Sequence, residues 1–323
     1  GSRAVSVYLK QDEPDNANRL DNMRQGVLGT DASRIEGLLK VTGTAPYAAE
    51  YQLDDCLEGV IVTATIPKGE VTRIDADSVL SMPGVVTVID DPALIARPAQ
   101  GTAGEAPEQP ARKVGYFGQP IALVVAETFE QARDAAKHLS VSYREDDDAA
   151  FDPEAVEAET KDGATSQGDL AHAMKVAAAS VDQTYRTEGH SSAAMEPHAA
   201  IAQWDGDTLT VYASLQMLNY NISELADSLG LDEDKVRLVS RYVGGGFGSK
   251  LGISEETVAA SVAAMKLERP VRVAMLRQQV LQCIMRRSET RQRFRLTADE
   301  DGKLTGFGHE ARVSNLPGES FAE

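Results

Sequence analysis

The sequence predicts an α+β fold in two domains, and three observations carry that expectation. Its 323 residues suffice for two cores of ordinary size without disulfide or metal staples. Apolar residues make up 42%, and 26 glycines raise the share to about half, the composition of a globular chain rather than a disordered or fibrous one. Strand-like runs and helix-period stretches occur in both halves of the sequence, punctuated by glycine, proline and aspartate turns.

Residues 1–32 are polar and periodless, broken by Asp12-Glu13-Pro14-Asp15, and are expected to form an irregular extension; Gly1-Ser2 has the look of a cloning scar. The first domain is expected over 33–150. Val60 to Ile66 is rich in β-branched residues, Val85 to Ile89 follows a Pro83-Gly84 turn, and Ile121 to Ala126 is a continuous apolar run suited to a buried strand. Thr128 with Gln131 three residues later makes a capping box for a helix over Phe129 to His138, which passes into a strand near Leu139 to Tyr143. A stretch rich in Pro, Gly, Ala and Glu between Pro98 and Arg112 reads as a mobile loop. The acidic run Glu145-Asp146-Asp147-Asp148 marks the exit from the domain.

The second domain is expected over 151–323. Asp169 can cap a short helix reaching to Ala179, Val181 to Thr187 reads as a strand, and Trp204-Asp205-Gly206-Asp207 joins two alternating runs as a hairpin. Leu218, Ile222, Leu225 and Leu229 recur at helical spacing, with Gly230 where a left-handed cap belongs. A strand at Val236 to Ser240, a glycine loop, a helix from Glu255 to about Lys266 and a strand at Val271 to Met275 follow. Asp301-Gly302 suggests a last hairpin between Phe294 to Thr297 and Leu304 to Phe307.

Charge and cysteine content bound the function. With 32 Lys and Arg against 50 Asp and Glu the net charge is −18, which argues against an unaided nucleic-acid binder, since phosphate neutralisation needs clustered cations. Only Cys56 and Cys283 occur, too few for an iron–sulfur or structural zinc site within the chain. No stretch approaches the roughly 20 apolar residues of a membrane span, and Gly1 to Gln11 lacks the pattern of a secretory signal. A cytoplasmic location is expected, with co-export beside a signal-bearing partner as the alternative.

The most informative segment is Val243-Gly244-Gly245-Gly246-Phe247-Gly248-Ser249-Lys250, between an expected strand and an expected helix. Four glycines let the backbone approach a ligand and aim amides at it. A P-loop fails here, because Ser249 precedes Lys250 and Leu251 follows it; a dinucleotide fingerprint fails because Ser249 stands where its third small residue belongs. His190, Glu196 and His198 lie near one another in sequence but match no ligand spacing, so Glu196 and His198 are expected to brace a wall through hydrogen bonds. Arg286, Arg287, Arg291, Arg293 and Arg295 read as the solvated face of a strand. No nucleophile elbow appears, and neither cysteine has a histidine nearby in sequence.

Met195-Glu196-Pro197-His198-Ala199-Ala200, Trp204-Asp205-Gly206, Ser214-Leu215-Gln216 and the glycine loop, taken in order, resemble the large subunit of the molybdenum hydroxylases, the xanthine dehydrogenase and aldehyde oxidoreductase family. Arg34-Ile35-Glu36-Gly37, Val41 through Tyr47 and Gly118-Gln119-Pro120-Ile121-Ala122 resemble that family's N-terminal hammerhead-type domain, and the resemblance runs over residues 33–323. It implies a hammerhead-type domain followed by the first part of the molybdopterin-binding domain. It also implies an oxidoreductase that hydroxylates an aldehyde or an electron-poor heteroaromatic carbon with oxygen from water. The implied cofactors are molybdenum–molybdopterin, with the cytosine dinucleotide among its candidate forms, and iron–sulfur clusters and FAD on partner chains. Gln216 matches the glutamine whose amide donates beside the molybdenum. Gly245, Gly246, Phe247 and Gly248 match the loop that lays amides on the cofactor, with Phe247 and Leu251 shaping the substrate pocket.

Leu251 stands where purine-oxidising members carry a glutamate, which points away from a purine and toward an apolar or aromatic aldehyde. Ser249 replaces a common glycine, a change expected to matter less. The family's large subunit is more than twice this length, and its catalytic glutamate lies in a glycine-flanked motif absent here. No catalytic residue is therefore assigned to this chain: either the large subunit is split into two polypeptides or this is a fragment of it, and the base is expected on a partner carrying the C-terminal half, alongside an iron–sulfur subunit and an FAD subunit. A non-catalytic assembly or scaffold chain is the alternative, and reductive or carbon monoxide chemistry a third reading.

Overall fold

The computed structural model describes residues 33–91, 112–149 and 165–314. The extension expected over 1–32 and the loop expected between 98 and 111 lie outside them. The described residues from 33 to Ala45 belong to one unit and those from Pro46 to a second. The first holds a five-residue helix, α1 (Gly37–Val41), whose C-cap Thr42 donates its hydroxyl to the Leu38 carbonyl at 2.8 Å.

In the second unit the chain runs β1 (Leu57–Thr63), β2 (Gly69–Asp75), α2 (Asp77–Leu80), β3 (Val85–Ile89), β4 (Lys113–Val114), β5 (Pro120–Ala126), α3 (Phe129–His138) and β6 (Ser140–Glu145). It continues through α4 (Leu170–Val176), β7 (Ala179–Thr187), β8 (Ala199–Trp204), β9 (Leu209–Ala213), α5 (Leu218–Leu229), β10 (Val236–Val239) and α6 (Glu255–Leu267). Last come β11 (Val271–Ala274), α7 (Arg277–Cys283), β12 (Thr290–Ala298) and β13 (Leu304–Val313). The helix expected after Asp169 stops at Val176, because Ala177 is already extended at φ −62, ψ 141 and feeds β7.

Seven strands form one mixed sheet in the order β10-β9-β8-β11-β1-β5-β3. The sheet draws on both sides of residue 150: β1 pairs with β11 in parallel, Leu57 opposite Val271 and Gly59 opposite Val273. Leu57, Leu123, Ala202, Val211, Val258 and Val273 accordingly share one core. α6 covers that core, and its residues from Glu255 through Ala264 are all buried. Residues 258–264 are small and mostly apolar, and Ser261 spends its hydroxyl on the Thr257 carbonyl, so this stretch has no face to offer water.

Two smaller sheets flank this one. β4-β2-β6 packs Val71 and Val114 into a cluster with Ala64 and Ile66. In β13-β12-β7, Arg293 pairs with Asp182 at 2.6 Å, and Arg295 pairs with Glu310. These cross-strand pairs account for part of the basic tract without any partner. α4 packs over Gly306, where a Cβ would lie 3.2 Å from the Ala173 Cβ. On the other face Phe294 stacks on His309 at 4.4 Å and meets Tyr185 edge-on at 5.9 Å. Val181, Tyr185 and Phe307 are exposed there, and none of the described residues covers them.

Candidate functional site

β9 and β10 are parallel neighbours, Leu209 opposite Val236 and Tyr212 opposite Val239, so their carboxyl ends open on the same edge of the sheet. β8 is antiparallel to β9 and begins at that edge, with Ala200 opposite Ala213. Three segments therefore converge: Met195 to His198 before β8, Ser214 to Gln216 after β9, and the glycine loop after β10. Ligands of open α/β sheets bind outside the carboxyl ends of strands for this topological reason.

The loop's conformation needs its glycines. Gly245 and Gly248 have φ of 104° and 91°, and Phe247 between them is held at φ 52°, which non-glycine residues rarely adopt. A Cβ at Gly244 would lie 2.5 Å from the Glu196 Cβ, and one at Gly246 would overlap the Gln216 carboxamide. Gln216 is held from both ends: its amide N donates to the Lys250 carbonyl at 2.8 Å, and its Oε1 accepts from the amides of Gly248 (3.2 Å) and Lys250 (3.3 Å). Two backbone donors facing one atom identify that atom as the oxygen, so Nε2 is turned outward as a free donor. The amides of Gly245, Gly246 and Phe247 donate to nothing among the described residues. Consecutive unspent amides with alternating backbone handedness make a concave donor array for an electron-rich ligand.

Beneath the loop lies a buried polar floor. Lys250 is fully buried and its Nζ reaches Glu196 Oε2 at 3.0 Å, the Glu196 carbonyl at 3.1 Å and Ser214 Oγ at 2.9 Å. Ser249, 5% exposed, donates its hydroxyl to the Gly246 carbonyl at 2.8 Å and lies 2.7 Å from Ser192 Oγ. It thus has a bracing contact that a glycine there would lack. His198, 1% exposed, has Nε2 3.0 Å from the Ser249 carbonyl, which makes Nε2 the protonated nitrogen. Glu196 and His198 thus both hydrogen-bond toward the loop, while His190 is drawn off into a bridge with Arg287. Among the described residues no three His, Cys, Asp or Glu side chains gather to hold a metal.

The rim above the loop is apolar. Phe247 is 77% exposed and Leu251 37%, and Met195, Met217 and Tyr220 also show large exposed surfaces. Sequence reasoning brought out Phe247 and Leu251 as pocket residues; it quoted Met195 within a motif without giving it a role, and it did not bring out Met217 or Tyr220. On the floor it named Lys250 only as the end of the glycine segment and gave it no role. Elsewhere a cleft of about 490 Å³ opens between β2, β3 and α6, where Arg112 pairs with Asp90 and Lys266 with Asp91 and Lys113 is a further cation in the lining.

Residues 152–316 match the molybdopterin cofactor-binding domain, and residues 42–147 match the aldehyde oxidase and xanthine dehydrogenase a/b hammerhead domain. The chain belongs to the molybdenum hydroxylase family. It is 38% identical over 321 residues to the aldehyde oxidoreductase molybdenum-binding subunit PaoC of Escherichia coli K12, an alignment covering 96% of this chain and 43% of that subunit. The nicotinate dehydrogenase large molybdopterin subunit of Eubacterium barkeri is 28% identical, covering 86% of this chain and 68% of its own length. The aldehyde oxidoreductase of Desulfovibrio gigas superposes with a TM-score of 0.76 at 25% identity over 87% of this chain and 34% of its own. The chain therefore spans less than half the length of PaoC. Its hammerhead and cofactor-binding matches meet near residue 150, yet the central sheet takes strands from both. Among the described residues no helix is long and apolar enough to cross a membrane.

Proposed function

We propose that this chain forms the first portion of the molybdopterin site of an oxidoreductase that hydroxylates an aldehyde or electron-poor heteroaromatic carbon, with water as oxygen source. The observation that carries this reading is the donor array: the outward Nε2 of Gln216 beside the unspent amides of Gly245, Gly246 and Phe247. A cradle that a single Cβ at Gly246 would fill suits a cofactor lying against backbone. The molybdenum cofactor, when bound, supplies the two-electron redox chemistry at carbon.

This chain's own residues bind and orient. Gln216 would hold the molybdenum cofactor through a donor at Nε2, with the amides of Gly245, Gly246 and Phe247 beside it, and donors fixed by the backbone need no reorganisation to meet an electron-rich group. Phe247 and Leu251 present apolar surface to the substrate, which favours an apolar or aromatic aldehyde over a purine. The base that activates the nucleophile is a glutamate outside this chain, in the C-terminal half of the large subunit. That half also suits the uncovered face carrying Tyr185, Phe294 and Phe307. Iron–sulfur and FAD chains carry the electrons away.

The test is to purify the chain with whatever co-purifies, and to measure molybdenum and subunit masses together. About one molybdenum per complex, with a chain or segment supplying the remaining half, supports the reading, and an aldehyde panel then identifies the substrate. A metal-free complex from cells whose cofactor pathway is working overturns it and leaves a scaffold.

A further inference from the structure

One carboxylate oxygen gathers both ends of the glycine loop. Glu196 Oε2 accepts from the Gly244 amide at 2.6 Å where the loop begins and from Lys250 Nζ at 3.0 Å where it ends, with Ser214 Oγ as third donor at 2.6 Å. All three ammonium hydrogens of Lys250 have acceptors, namely Glu196 Oε2, the Glu196 carbonyl and Ser214 Oγ. Such a buried pair is a poor way to add stability, because desolvation cancels most of the attraction. What it fixes is geometry. Lys250 is bonded to Gln216 in both directions through its main chain, so the anchored residue and the outward-facing carboxamide move together.

We infer that Glu196 and Lys250 are positioning residues, a clamp that holds the Gln216 carboxamide with its Nε2 turned toward the cofactor. The inference rests on the reading of the loop as cofactor-facing. Neither residue touches the cofactor in this scheme: Lys250 has no exposed surface, and the Glu196 side chain is 11% exposed. Both act through the loop and through Gln216.

The test compares Glu196→Gln, Lys250→Met and Gln216→Ala in the molybdenum-loaded complex that contains this chain. Three properties are read: the electron paramagnetic resonance signal of the reduced metal centre, deuterium exchange of the 244–250 amides, and kcat apart from KM. The expected result is exchange at Gly248 and Lys250 about tenfold faster in both clamp variants, as the loss of one or two hydrogen bonds allows. Their resonance signal shifts in the same direction as in Gln216→Ala, and kcat falls about tenfold with KM nearly unchanged. Adding Glu196→Gln to Gln216→Ala costs little more, since both act on one group. Should a charge variant fail to fold, Ser214→Ala removes one hydroxyl from the cluster and carries the same comparison at smaller amplitude. A Gln216→Ala enzyme that is altered while the clamp variants keep signal, exchange and kcat overturns the inference alone. A Gln216→Ala enzyme unaltered in metal content, signal and rate overturns the cofactor-facing reading, and the inference with it.

Discussion

Gly246 lies so close to Gln216 that the carboxamide occupies the space a Cβ at 246 would need. The backbone at Gly246 is not in the left-handed region, so alanine is excluded there by overlap and not by conformation. Gln216 cannot simply swing away, because its Oε1 is held by two amides. Gly246→Ala is expected to cost about 1–3 kcal/mol, the usual penalty for overpacking a tight site. A lowered urea midpoint together with faster exchange at Gly248 checks it; an unchanged midpoint and exchange would mean that the carboxamide is loose.

Thr128 caps α3 from both directions, its hydroxyl accepting from the Gln131 amide at 3.3 Å while Gln131 Oε1 accepts from the Thr128 amide at 3.1 Å. Thr128→Ala removes one half of this box and is expected to lower stability by about 1 kcal/mol. The helix packs Ala132 and Ala135 against the sheet, so the loss is shared by the whole unit. Urea unfolding with a reduced midpoint and an unchanged slope is the expected observation.

The Thr128 box also illustrates what the sequence made legible. α3 and β3 have the limits that capping and turn residues mark, and Gly230 closes α5 at φ 67° as a left-handed cap. Such features depend on near neighbours in the chain. β2 escaped notice because Gly-Glu-Val-Thr-Arg-Ile-Asp buries only Gly69 and Val71, and α7 because its polar run hides Gln279, Val280 and Cys283 on one side. The pairing of β1 with β11 was not legible either, since alternation tells which face a residue takes and not which strand lies beside it. At the site, the glycine loop and Gln216 stood out as a motif, whereas Ser214 and Lys250 have a role only once three distant segments meet.

Arg272 and Glu58 are register partners across β1 and β11 and form an ion pair at 2.6 Å, with side chains 20% and 15% exposed. Arg272 also donates to the Tyr51 carbonyl at 2.9 Å. Burial pushes the Glu58 carboxyl above its ordinary range, with the guanidinium pulling against it. Arg272→Ala leaves that carboxylate without its cation where the two segments join, and is expected to cost about 2–4 kcal/mol. Glu58→Gln in the Arg272→Ala background should recover part of the loss. A double-mutant cycle by urea unfolding checks this, and additive effects would mean that the two groups do not interact.

Glu224 on α5 ties the helix to the segment that carries Leu251. Its Oε2 accepts from Asn221 Nδ2 at 2.7 Å and from the Ile253 amide at 3.1 Å, and Asn221 also donates to the Leu251 carbonyl at 2.8 Å. Burial raises the Glu224 carboxyl above the ordinary 4.5, and these hydrogen bonds only partly oppose the rise. A raised folded-state value means that the native protein holds this proton more tightly than the unfolded chain does. The stabilising contribution is therefore complete below 4.5 and is lost as pH rises through the folded value. Glu224→Gln keeps an acceptor for both donors and titrates nothing. Relative to this variant, the natural protein is expected to be most stable below pH 4.5 and to lose ground as pH rises above it, across a series from about pH 4 to about pH 7. Unfolding both proteins in urea across that series measures the difference directly. A difference that stays flat with pH would mean that the carboxyl is better solvated than its place beneath Leu251 and Ile253 implies.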